Sequence, residues 1–233
     1  MTTPTHDHIV RSYDGELLRL NGEIEHMAAL ASAQIEHAMR AFEQRDSAAA
    51  DRVIAADAVI DRLEQEISQD VLKLLALRQP LARDLREVYA ALRISSDIER
   101  VGDYATNVAK RSRILNQSAP LLPARGLSAL ARVATEQFAA AMAAYHARDA
   151  EQALIVRASD TEVDAHYTAL FRELLTYMAE SPQQITPCTH LLFMAKNLER
   201  IGDHATNIAE ATWFVVHGEV FAEQREKADL TSQ

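Results

Sequence analysis

The sequence has one cysteine, Cys188, among its 233 residues. One thiol makes neither an intrachain disulfide framework nor a cysteine-based zinc site, which fits a reducing compartment. Glycine and proline occur six times each, so little interrupts the chain and long helices are the default expectation. Aromatic residues are 6% of the total, which suits helix seams packed with Ala, Leu, Ile and Val. Positive charge is also scarce, with 24 Lys and Arg against 34 Asp and Glu and a formal net charge of −10. That balance argues against a nucleic-acid surface, which needs a basic patch. It suits a cationic partner, either metal ions or a basic protein face. No apolar run approaches the roughly 20 residues of a membrane span. The opening MTTPTHDHIV lacks the basic start and apolar core of a secretion signal. The expectation is a soluble, cytoplasmic protein.

What the sequence does have is an internal duplication. Asp97–Lys110 reads DIERVGDYATNVAK and Asn197–Glu210 reads NLERIGDHATNIAE, an offset of 100. Eight of the fourteen positions are identical and three more exchange branched aliphatics. Upstream the offset becomes 103: Met39-Arg40-Ala41-Phe42 and Arg45-Asp46 match Met142-Ala143-Ala144-Tyr145 and Arg148-Asp149. Asp57 and Asp61 likewise match Asp160 and Asp164. The change in offset places a three-residue deletion near the second turn of the second copy.

Asp46 and Asp149 read as helix N-caps, and Pro80 and Pro182 as breaks. NQSAPLLPARG, residues 116–126, reads as a linker. The pattern predicts six helices, at about 7–44, 47–78, 83–116, 126–147, 150–179 and 186–217. The expected fold is all-α, two tandem antiparallel three-helix bundles related by duplication. The first repeat occupies 1–117, the linker 118–126, the second repeat 127–217 and a tail 218–233.

Helical phase separates packing from chemistry. Ala91, Ile94, Ile98, Val101, Ala105, Val108, Ser112 and Leu115 step by threes and fours. Leu191, Met194, Leu198, Ile201, Ala205, Ile208, Thr212 and Val215 do the same. Each set is a seam for neighbouring helices. Glu99, Asp103 and Asn107, and again Glu199, Asp203 and Asn207, form a stripe nearly opposite that seam, at about 100° per residue. An acidic i, i+4 pair is an ordinary feature of a solvated face and mildly unfavourable. Here it recurs at the same phase in both halves, and each preceding helix adds a second pair, Asp57/Asp61 or Asp160/Asp164. Four carboxylates on two adjacent helices make an oxygen-rich site for hard cations. Gly102 and Gly202 interrupt good helices and read as points of close helix approach. Arg100 and Arg200 read as surface ion-pair partners, and His204 as packed or solvated beside the second acidic pair. His6 and His8 are assigned to a mobile N-terminal arm.

The two fourteen-residue blocks, with PLARDLR at 80–86, resemble the signature of the PhoU family, and length and duplication match across nearly the whole chain. The resemblance implies two three-helix bundles, homodimers, and no enzymatic activity. It implies an accessory regulator of the high-affinity phosphate ABC transporter and of its associated sensor histidine kinase, restraining both when phosphate is plentiful. It also implies metal, including multinuclear iron, at Glu99, Asp103, Glu199 and Asp203, with Asp57, Asp61, Asp160 and Asp164 as partner ligands. All-oxygen ligation suits iron, manganese or magnesium, with zinc a further option. The second copy departs from the first in Gln184 for Asp84, Thr186 for Arg86 and Asn197 for Asp97.

Two rival functions follow from the same residues. A ferritin-like di-iron protein needs two Glu-x-x-His motifs plus two further glutamates in a bundle core. The chain offers one, Glu23-Ile24-Glu25-His26. A metal-independent helical adaptor would use the acidic faces for protein contacts alone.

Overall fold

The computed structural model describes the backbone of residues 5–221 and the side chains of residues 15–221. The expectation for His6 and His8, and most of the expected tail, lie outside the described side chains. Six helices follow one another: α1 (Thr5–Glu43), α2 (Ser47–Arg78), α3 (Arg83–Leu115), α4 (Ala124–Ala147), α5 (Ala150–Glu180) and α6 (Ile185–His217). A short 3-10 turn, Pro182–Gln184, precedes α6, and no strand occurs among the described residues. Among the described residues no helix is long and apolar enough to cross a membrane.

The first turn of each repeat is built twice in the same way. Asp46 and Asp149 accept hydrogen bonds from the backbone N–H of Ala49 and Gln152, each at 2.9 Å, so both act as N-caps. The preceding Arg45 and Arg148 take the left-handed conformation (φ 55° and 51°). The N–H of each capping Asp then donates to Ala41 O or Ala144 O at 2.9 Å, the hydrogen bond of a Schellman ending. The missing three residues fall in the next turn. Gln79–Ala82 separates α2 from α3, with Gln79 and Ala82 at positive φ, whereas the second copy passes directly through Ser181 and the 3-10 turn.

All sixteen seam residues of α3 and α6 are buried. α3 packs on α1, α2 and α6, and α6 packs on α3, α4 and α5. The two bundles therefore share one core through the α3–α6 contact, supplemented by α1 against α4. Apolar burial of this kind contributes about 1.5–3 kcal/mol per large aliphatic side chain. The glycines let helices approach closely. A Cβ on Gly102 would lie 3.0 Å from Ile60 Cδ1, and one on Gly202 would lie 2.8 Å from Gln137 Oε1 and 3.1 Å from Val163 Cγ1.

Candidate acidic site

Placing α3 and α6 at the centre decides where the acidic stripes point. Each stripe faces the helix that carries the other acidic pair, α2 in the first repeat and α5 in the second. Asp61 on α2 is held above the ordinary aspartate range by burial and by the like charges of Asp57 and Asp103. Glu99 is raised by burial, then by Asp103 and, across the helices, by Asp61. In the second repeat Glu199 is raised by burial and by Asp203 and Asp164, against a lowering hydrogen bond from Lys196. Each repeat thus brings the acids of its second and third helices into mutual range.

The solvated-face reading fails for the second repeat. Glu199 on α6 is 2% exposed, and Asp160 and Asp164, on the α5 helix that packs against it, are 3% each. In the first repeat Asp57, Asp61, Glu99 and Asp103 are half-buried. The carboxylates are partly engaged by cations of the chain itself. Arg100 reaches Asp103 at 2.9 Å and Glu99 at 3.4 Å, and Lys196 reaches Glu199 Oε1 at 2.8 Å. Among the described residues no three carboxylate or histidine side chains converge as a chelating group. Of the repeated acids, Glu199 has a buried oxygen, Oε2, with no hydrogen-bond partner among the described residues. An orphaned carboxylate oxygen among like charges fits a hard cation held by oxygen donors.

Sequence reasoning missed the side chains that orient two of these acids. Gln34 Nε2 on α1 donates to Asp57 Oδ1 at 3.0 Å, to Thr106 Oγ1 at 2.5 Å and to Gly102 O at 3.4 Å. Gln137 Nε2 on α4 donates to Asp160 Oδ1 at 3.4 Å and to Thr206 Oγ1 at 3.2 Å. Thr206 in turn donates to Asp160 Oδ1 at 3.3 Å. A buried Gln–Asp–Thr triad is therefore duplicated whole. The signal was present, since Gln34 and Gln137 differ by 103 and the two threonines by 100, the same offsets as the acids.

His204 does not turn toward the second acidic pair. Its Nδ1 lies 2.7 Å from Asp97 Oδ1 on α3, and its ring 5.5 Å from that of Tyr104. Arg200 lies over the Tyr104 ring at 5.7 Å instead of forming an expected surface ion pair. In the Glu-x-x-His motif, Glu25 pairs with His146 of α4 and Glu23 lies by Arg19, remote from the repeated acids.

The comparisons with known proteins follow the same duplication. The PhoU domain model matches twice, over residues 24–112 and 127–212. A Xylella fastidiosa protein described as a phosphate-specific transport system accessory protein PhoU homolog is 55% identical over 232 residues, covering 100% of this chain and 98% of that protein. A Rhizobium meliloti protein of the same description is 45% identical, covering 98% and 97%. The crystal structure of PhoU from Pseudomonas aeruginosa superimposes with a TM-score of 0.85 at 33% identity, covering 89% of this chain and all of that one. The phosphate transport system regulatory protein PhoU from Streptococcus pneumoniae gives 0.83 at 27% identity, covering 91% of this chain and all of that one. Two matched domains, relatives aligned from end to end and a shared six-helix architecture lead to one conclusion: this chain belongs to the PhoU family.

Proposed function

We propose that this protein is a cytoplasmic, non-enzymatic regulator of phosphate uptake and phosphate-starvation signalling. In phosphate-replete cells it restrains the high-affinity phosphate ABC transporter and holds the associated sensor histidine kinase in its non-signalling state, working as a homodimer. The observation that carries this reading is end-to-end similarity to proteins described as accessory to phosphate-specific transport.

The acidic faces are the second part of the proposal. Glu99 and Asp103 with Asp57 and Asp61, and Glu199 and Asp203 with Asp160 and Asp164, would hold divalent or trivalent cations. The bound ions would neutralise carboxylates that now raise one another's pKa. A metal-independent adaptor is favoured by a different observation: Arg100 and Lys196 already pair with these acids.

The deciding experiment for regulation is a deletion strain carrying a phosphate-starvation reporter. The expected result is reporter output that stays on in phosphate-rich medium and is restored to normal by the gene in trans. Normal repression on adding phosphate to the deletion strain refutes the assignment.

A further inference from the structure

A groove of about 530 Å³ runs between α1 and α2 of the first repeat, a size typical of small-molecule sites. Its walls are small and apolar, with Leu30, Ala33, Val53, Ala56 and Val59 among them. His37, Arg40 and Arg52 gather at the end nearer the α1–α2 turn, a local positive charge on a chain of net charge −10. His37 and Arg40 have no ion pair among the described residues, and Arg52 makes only a 3.9 Å contact with Asp46. The one acid in the lining, Asp46, is occupied in capping α2 through the Ala49 N–H, while Glu36 and Glu43 line a different groove, on the α4 side of α1.

The other end of the groove carries Gln34, a polar side chain only 5% exposed. Its amide nitrogen is committed to Asp57, Thr106 and Gly102. Its amide oxygen has no protein donor among the described residues and remains able to accept. Six residues separate Gln34 from Arg40, about 9 Å along the helix at 1.5 Å per residue.

Duplication supplies an internal control. At the offset of 103, His37, Arg40 and Arg52 become Ala140, Ala143 and Ile155, while Ala33 and Val59 become Glu136 and Glu162. The second repeat keeps the glutamine and the acids and lacks the cations. Helix packing and the acidic site therefore do not require the cationic groove, which calls for a role of its own.

We propose that this groove binds a small organic phosphate with a flat, apolar body, a nucleoside phosphate being the simplest kind. Arg40, Arg52 and His37 take the phosphate through charge-assisted hydrogen bonds. The base lies against Ala33, Ala56 and Val59, and an exocyclic amino group donates to Gln34 Oε1. Because Gln34 also holds Asp57, occupancy of the groove is connected by one side chain to the acidic cluster.

Calorimetric titration of the full-length protein with AMP and ADP tests this, in EDTA so that phosphate cannot bind through cations on the acidic faces. Adenosine and inorganic phosphate are titrated in parallel. Saturable binding of at least one nucleotide is expected, with both fragments weaker by about tenfold or more. Arg40→Glu with Arg52→Glu should weaken nucleotide binding about tenfold or more. Arg132→Glu on the second repeat should leave it unchanged. Ala56→Trp, which fills the groove from an exposed position, is the second variant in case charge reversal disturbs folding; it should abolish binding at unchanged helix content. No binding of either nucleotide overturns the proposal. So does binding that survives both groove variants, or inorganic phosphate binding as tightly as AMP.

Discussion

Asp97 Oδ1 accepts a hydrogen bond from His204 Nδ1 at 2.7 Å and another from Asn207 Nδ2 at 3.1 Å, so one carboxylate of α3 fastens the first repeat to α6 of the second. The repeats differ at both principal positions. The counterpart of Asp97 is Asn197 and that of His204 is Tyr104, so the charged form of this contact exists on one side of the approximate symmetry only. Asp97→Asn should lower unfolding free energy by about 1–2 kcal/mol. A double-mutant cycle with His204→Tyr should return a coupling of about 0.5–3 kcal/mol. Urea denaturation of the four proteins checks it, and additive effects would remove this contact as a link between repeats.

The two helix glycines should respond differently to alanine. Either substitution gains about 1 kcal/mol of helix propensity. At Gly102 the new methyl meets the movable end of Ile60, so the net change should be near zero. At Gly202 it meets Gln137 Oε1, whose side chain is fixed by Asp160 and Thr206, and also Val163. Overpacking there costs about 1–3 kcal/mol, and Gly202→Ala should be the less stable of the two in thermal melts.

Removing the donor of the second triad should be more costly than its size suggests. Gln137→Met keeps the volume roughly constant but strands Asp160, which is 3% exposed, without its glutamine hydrogen bond. The expected loss is about 1–3 kcal/mol. The Asp160→Asn background, which removes the charge, should reduce that loss, as denaturation curves would record.

The raised pKa values fix the sign of a pH effect. A carboxylate whose folded pKa lies above its unfolded value favours folding when protonated. Its penalty therefore grows as pH rises from the unfolded to the folded pKa. Asp61, Glu99 and Glu199 are all shifted upward by burial and like charge. Metal-free protein should accordingly gain stability from these groups as pH falls from 7 into the window just above the ordinary carboxylate range. Glu199→Gln should raise its melting temperature by about 2–4 °C at pH 7 and flatten that dependence. A mutant that melts lower with an unchanged pH profile would show that the Lys196 pair outweighs the repulsion.

Asp103→Ala with Asp203→Ala should reduce bound metal after loading with iron or manganese while leaving helix content intact. Metal should raise the wild-type melting temperature in a concentration-dependent way and the double mutant's much less. Elemental analysis giving equal metal in both proteins, or none in either, would favour the adaptor reading.

Periodicity and repetition were enough to place six helices, their turns, the two capping aspartates and both apolar seams, because each depends on contacts within a few residues or on phase about one helix axis. The acidic pairs were legible for the same reason. Phase tells which residues share a face but not how many helices surround it. Packing of α5 against α6 turned Glu199, Asp160 and Asp164 inward, against the exposure expected of carboxylates. Docking of α3 onto α6 joined Asp97 to His204, residues 107 apart with no local pattern to relate them. Packing within each repeat let Gln34 and Gln137, inconspicuous in their own helices, become the donors that fix two acids. The sequence by itself determined the elements, their duplication and the chemistry each carries. Only the tertiary structure decided which carboxylates are buried and what holds them, because burial and hydrogen-bond partnership are properties of packed helices and not of any one of them.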